Sequence, residues 1–105
     1  MEQTKDALVP NKSEVGKFSK LVALDCEMVG VGYLGKKSVL ARATIVSGNG
    51  DIILDEFCSA REKVTDYRTI VSGVRPKDMK GAQKFEELRK KCAEAMKGIC
   101  LKIKQ

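Results

Sequence analysis

The chain has 105 residues, 43% hydrophobic and 32% charged, with a net charge of +6 and a pI near 9.2. That length supports one small domain, the balance excludes a disordered chain, and no apolar run reaches transmembrane length. The basic surplus favours a polyanionic partner, and the N-terminus lacks the basic start and apolar core of a signal peptide, so a reducing compartment is the default.

Residues 1–19 are polar and carry Pro10, the pattern of a flexible N-terminal segment ahead of a domain over 20–105. Leu21, Val22, Ala23 and Leu24 are apolar on both alternating faces and predict a central strand over 20–28. Gly30, Gly32 and Gly35 loosen the chain after it. A second strand is expected over 38–47, with Val39, Ala41, Ala43 and Ile45 on one face and Leu40, Arg42, Thr44 and Val46 on the other. "SGNG" at 47–50 is a hairpin turn, because Asn and Gly tolerate positive φ, and "DIILDEF" returns as a third strand over 50–57.

The stretch 58–81 reads as irregular, broken by Gly73, Pro76 and Gly81. A helix over 83–97 follows, with Phe85, Leu88 and Cys92 on its packing face, Glu86 and Glu87 early, and Gly98 as the stop. The tail "ICLKIKQ" alternates as a half-exposed strand does. Cys26, Cys58, Cys92 and Cys100 show no C-x-x-C spacing and the chain has no histidine, which removes the usual zinc patterns and leaves the cysteines as small core residues.

Asp25 and Glu27 end the apolar first strand. Two residues apart on a strand, they share a face at about 6.5 to 7 Å between Cα atoms and repel each other there. Spacing alone means little, since 14 acids in 105 residues give about two such pairs by chance. Context adds weight: paired carboxylates at the ligand-binding edge of an α/β sheet suit divalent cations, and solvated acids at a strand end are the alternative. Lys36, Lys37, Arg61, Lys63, Arg68, Arg75, Lys77 and Lys80 fall mostly in connecting segments, placed to reach phosphates or simply to solvate the surface.

"ALDCEMVGVG", "SVLARATIV" and "VTDYRTIVSGVRPKDMKGA", with the helix ending "AMKG", together resemble the first half of a DEDDh-type 3'-to-5' exonuclease domain, in order from Leu21 to Gly98. The resemblance implies an α/β, partial ribonuclease H-like fold: three antiparallel strands opening a mixed sheet, then one crossover helix leading to a fourth strand parallel to the first. It implies that Asp25 and Glu27 are catalytic and ligate two Mg²⁺ or Mn²⁺ ions, and that Met28 and Val29 hold the last nucleotide. Arg42, Tyr67 and Arg68 also match, as substrate-side or structural supports.

The family's later motifs, a third acid and a histidine followed by a fourth acid, are absent, so the chain reads as a truncated exonuclease domain. A splice isoform or a fragment is expected, inactive alone because no histidine can activate water. The missing layer predicts exposed Val22, Leu24 and Leu40, open to a protein partner. The resemblance implies metal-dependent 3'-to-5' trimming of RNA, single-stranded and ribosomal, in the nucleus and its nucleolus, with no membrane role. A non-catalytic nucleic-acid or protein binding fragment is the alternative, and RNA versus DNA is not legible.

Overall fold

A computed structural model describes residues 21–97 in full and the backbone of 100–104. The segment expected to be flexible, 1–19, lies outside the described residues, as do the helix stop at Gly98 and the side chains of the tail. The chain runs β1 (Leu21–Val31), a 3₁₀ turn (Tyr33–Gly35), β2 (Lys37–Ser47), β3 (Ile52–Ser59), β4 (Val64–Asp66), α1 (Thr69–Ser72), α2 (Pro76–Met79), β5 (Gln83–Lys84), α3 (Phe85–Ala95) and β6 (Cys100–Lys104). The sheet order is β4-β1-β2-β3-β5, with β6 also on β1. β1, β2 and β3 are antiparallel neighbours and β6 runs parallel to β1, as the resemblance implied.

The β2–β3 turn forms as its residues dictate. Gly50 sits at φ 90°, its N–H donates to Ser47 O at 2.9 Å, and the Ser47 N–H donates to Asp51 O at 2.8 Å. α3 starts where the Glu87 carboxylate accepts the Lys84 N–H at 3.3 Å, and its first turn carries Glu86 and Glu87 against the positive helix end. One face of α3 then buries Leu88 and Cys92 on Val22, Ala43, Ile45, Leu54 and Cys58. Removing a leucine of this kind from water is worth about 2 kcal/mol.

Three expectations are corrected here. Val22 is only 1% exposed, and Leu24 and Leu40 are half-buried, because all three turn toward α3 instead of away from it. Phe85 is 39% exposed: as the first residue of α3 it reaches the lip of a cleft rather than the core. The stretch 58–81 is not irregular throughout, since β4, α1 and α2 lie within it. These short elements build a second cluster, in which Val74 joins Val29 and Ala41, with Val39, Phe57, Val64, Tyr67 and Met79 packed around them.

The two clusters lie on opposite faces of the sheet, and a bulge explains how β2 feeds both. The ladder pairs Glu27 with Arg42 but Met28 with Leu40, so Ala41 is an extra residue in β2. Below it every side chain changes face. Ala43 and Ile45 pack under α3 whereas Val39 and Ala41 join the second cluster, which overturns the single four-residue face expected for 38–47.

Candidate active site

Strand alternation and ladder register place Asp25, Thr44 and Asp55 in one cross-strand row, and Glu27, Arg42 and Phe57 in the next. Both rows lie on the face opposite α3. Asp25 and Glu27 are therefore brought together as the sequence predicts, on a polar patch above the second cluster. Burial and repulsion from Asp25 hold the Glu27 carboxyl above its ordinary value, an effect that Arg42 partly offsets.

The free edge of β1 frames this pair. β6 takes Leu21 to Asp25 and β4 takes Gly30 and Val31, so residues 26–29 have no strand partner on that side among the described residues. Within it Met28 is exposed, Cys26 and Glu27 are half-buried and Val29 is fully buried. Its lower boundary is fixed by close backbone approach: a Cβ on Gly30 would collide with the Gly35 carbonyl oxygen, and Gly35 sits at φ 64°.

The remaining site residues of the sequence reading scatter. Val29 is fully buried in the second cluster, its main chain included. Met28 faces the α3 side, where with Leu40, Phe85, Lys37 and Arg61 it lines a cleft of about 370 Å³. Tyr67 packs into the second cluster. Arg68 takes a left-handed backbone at φ 53° and clamps the 3₁₀ turn, donating from Nη2 to Gly35 O and from Nη1 to Ser38 Oγ, each at 2.8 Å. Asp66 fixes that conformation by accepting the Arg68 N–H at 2.9 Å.

Arg42 is held by Asp55. Its Nε and Nη2 donate to the two oxygens of that carboxylate at 2.7 Å each, Thr44 Oγ1 donates to Oδ1 at 3.1 Å, and the Phe57 ring lies 5.2 Å from the guanidinium carbon. These bonds keep Asp55 below the ordinary carboxylate range. No signal in the sequence singled out Asp55 or Thr44, because the pairing that gives them meaning is set by the register between strands.

The two carboxylates suit a hard divalent cation in chemistry, offering oxygen donors whose repulsion it relieves. No group of three or more His, Cys, Asp or Glu able to hold a metal ion is found among the described residues. The structure thus offers part of a donor set. Lys37 and Arg75 pair with Glu62 and Asp78. Among the described residues Lys36, Arg61, Lys63, Lys77 and Lys80 make no ion pair and stand exposed. The thiols of Cys26, Cys58 and Cys92 are free and pushed up by burial, in keeping with packing. No helix among the described residues is long and apolar enough to cross a membrane.

The RNase T model, described as exonuclease, matches residues 22–105. The chain belongs to the RNase T exonuclease family. It is 53% identical over 90 residues to RNA exonuclease 4 of Mycosarcoma maydis, covering 86% of this chain and 23% of that protein. The Saccharomyces cerevisiae RNA exonuclease 4 is 52% identical over 92 residues, covering 87% of this chain and 31% of its own length. The chain therefore spans between about a quarter and a third of these relatives. Among solved structures, the Saccharomyces cerevisiae PAN2 pseudoubiquitin-hydrolase-RNase module superposes with a TM-score of 0.60 at 20% identity, over 80% of this chain and 16% of that one. That likeness shows the ribonuclease H-like fold. The Pan2 UCH-Exo module in complex with AAUUAA RNA matches at a TM-score of 0.50 and 27% identity, over 57% of this chain and 12% of that one.

Proposed function

We propose that the chain carries the first metal-binding strand of a divalent-metal-dependent 3'-to-5' exonuclease acting on single-stranded RNA, and that these 105 residues alone do not turn over. The observation that carries the proposal is the placement of Asp25 and Glu27 side by side on the open face, beside the stretch of β1 edge that lacks a strand partner. Mg²⁺ or Mn²⁺, when bound, supplies charge stabilisation for phosphoryl oxygens and lowers the pKa of water.

The chain's own residues supply the rest of what is present. Asp25 and Glu27 would hold such a cation through their carboxylate oxygens. The backbone at Met28 offers polar groups to the terminal nucleotide, Val29 anchors that stretch in the second cluster, and Arg68 holds the turn that bounds its seat. What is missing is a proton acceptor of suitable pKa, since the chain contains no histidine. Catalytic groups act as a set, so a partial set loses most of the rate rather than a share of it.

The test is a 5'-labelled RNA incubated with the chain in Mg²⁺ or Mn²⁺, beside a longer version carrying the family's later motifs. The longer version should trim from the 3' end and Asp25→Asn should abolish that; the 105 residues should leave the RNA intact. Trimming by the short chain that Asp25→Asn stops overturns the second half of the proposal. Ribosomal RNA processing in the nucleolus is proposed on family resemblance alone, and a tagged chain that fails to meet a nucleolar marker removes it.

A second reading, a non-catalytic nucleic-acid binding module, is favoured by the exposed cations Lys36, Arg61, Lys63, Lys77 and Lys80. On that reading single-stranded RNA binds weakly at low salt and the affinity falls steeply as salt rises. Anisotropy that shows no binding at low salt, with the chain folded, retires it.

A further inference from the structure

The Arg42–Asp55 pair has no part in the proposed metal chemistry, yet it stands next to it. Glu27 and Arg42 are directly opposed across β1 and β2, a placement with Cβ atoms about 5 Å apart that an arginine spans with ease. The guanidinium is nonetheless turned away. It lies on Asp55 of β3 through two 2.7 Å bonds, with Thr44 on the same carboxylate and the Phe57 ring against it. Among the described residues Glu27 forms no ion pair.

We propose that Asp55 is a positioning residue that restrains Arg42, keeping the guanidinium off Glu27 so that both carboxylates of the β1 pair stay open to a divalent cation. The restraint is directional. Both oxygens of Asp55 are committed to the planar fork of Arg42, which fixes where the guanidinium points as a single bond could not. Without Asp55, the carboxylates left around Arg42 are the metal-binding pair and Asp78 of α2; Asp78 already accepts the Arg75 N–H at 2.9 Å, whereas Glu27 lies directly across the ladder with no ion pair among the described residues. A bidentate pair between Arg42 and Glu27 would then have to be broken for a metal to bind, at a cost of about tenfold in affinity.

This inference rests on the reading of Asp25 and Glu27 as metal donors, and the experiment separates the two. Mn²⁺ binding is measured by electron paramagnetic resonance titration of the 105-residue chain as wild type, Asp25→Asn, Asp55→Asn, Arg42→Gln and the double variant Arg42→Gln/Asp55→Asn, with circular dichroism confirming the fold of each. Asp55→Asn should weaken Mn²⁺ binding about tenfold, Arg42→Gln should keep or slightly tighten it, and the double variant should return to within about twofold of wild type. With the titration run in about 0.1 M salt, where screening cuts the interaction about threefold, loss of the Asp55 charge about 10 Å from a divalent ion accounts for only about twofold, so a fivefold loss or more marks the released arginine.

Asp55→Asn within twofold of wild type overturns the inference, and so does equal weakening by both single variants or a double variant that fails to recover. Should Asp55→Asn not fold, Arg42→Gln decides: retained affinity supports the restraint and a fivefold loss overturns it. A wild type that does not bind Mn²⁺, or binding that survives Asp25→Asn, overturns the metal-site reading and the restraint with it. Binding that Asp25→Asn abolishes, with no effect of Asp55→Asn, overturns the restraint alone.

Discussion

The two faces of the sheet are made from the same three strands and do opposite work. Toward α3, Val22, Leu24, Ala43, Ile45 and Leu54 close on Leu88 and Cys92, with no charged side chain buried among the described residues. On the other face the same strands present Asp25, Glu27, Arg42, Thr44 and Asp55 in two adjacent rows. Period-two alternation lets β1 anchor the core with one set of side chains and gather repelling carboxylates with the other. Stability is concentrated on the helix side, so the opposite side can carry groups that oppose folding.

The largest expected effect comes from breaking the helix side. Leu88→Ala should cost about 3 kcal/mol in chemical denaturation, while Phe85→Ala, at the cleft lip, should cost under about 1 kcal/mol. Equal costs would erase the contrast between core and lip. Next is Gly30→Ala, which drives a methyl into the Gly35 carbonyl and should cost about 2 kcal/mol by the same measurement.

The charged face should show itself through pH. Asp55 is held below the ordinary value of 3.8, chiefly by its bonds to Arg42. A depressed carboxyl adds stability above its unfolded value, and that contribution disappears as pH falls through the folded one. Wild type should therefore lose about 1 kcal/mol below about pH 4 that Asp55→Asn does not lose, since the pair is partly solvated. The smallest effect has the opposite sign. Glu27 is held above its ordinary value, so it favours the folded state at low pH and this is lost as pH rises through the folded value. Glu27→Gln should thus raise Tm at pH 7 by about 1 to 3 °C, and a fall in Tm would show that Glu27 already has a stabilising partner.

How far the sequence spoke depends on whether local pattern or register decides. The strands, the Gly50 turn and the helix carrying Leu88 and Cys92 follow from periodicity and turn chemistry, and Asp25 with Glu27 needs only a strand. Val22, Leu24 and Leu40 read from sequence as an uncovered face because alternation gives two faces without saying which one a helix will cover. Arg42 resembled a substrate-side support, yet its partner Asp55 is thirteen residues away and is found only through the β2–β3 ladder. The short elements between Ala60 and Gly81 escaped because each is a turn or less, too brief to show a period.

The extra residue at Ala41 has a consequence for how this strand tolerates change in length. β2 is two half-strands of opposite parity joined at one residue: Val39 and Ala43 are separated by four positions, yet they serve different cores. Deleting Ala41 would regularise the ladder without turning a side chain over: Arg42 stays opposite Glu27, Leu40 opposite Met28 and Val39 opposite Val29, and only the Ala41 methyl is lost from the second cluster. Substituting another small residue there leaves the phase intact. Elsewhere in β2 a one-residue deletion turns one half-strand over, so this is the position at which the strand can shorten and keep both cores.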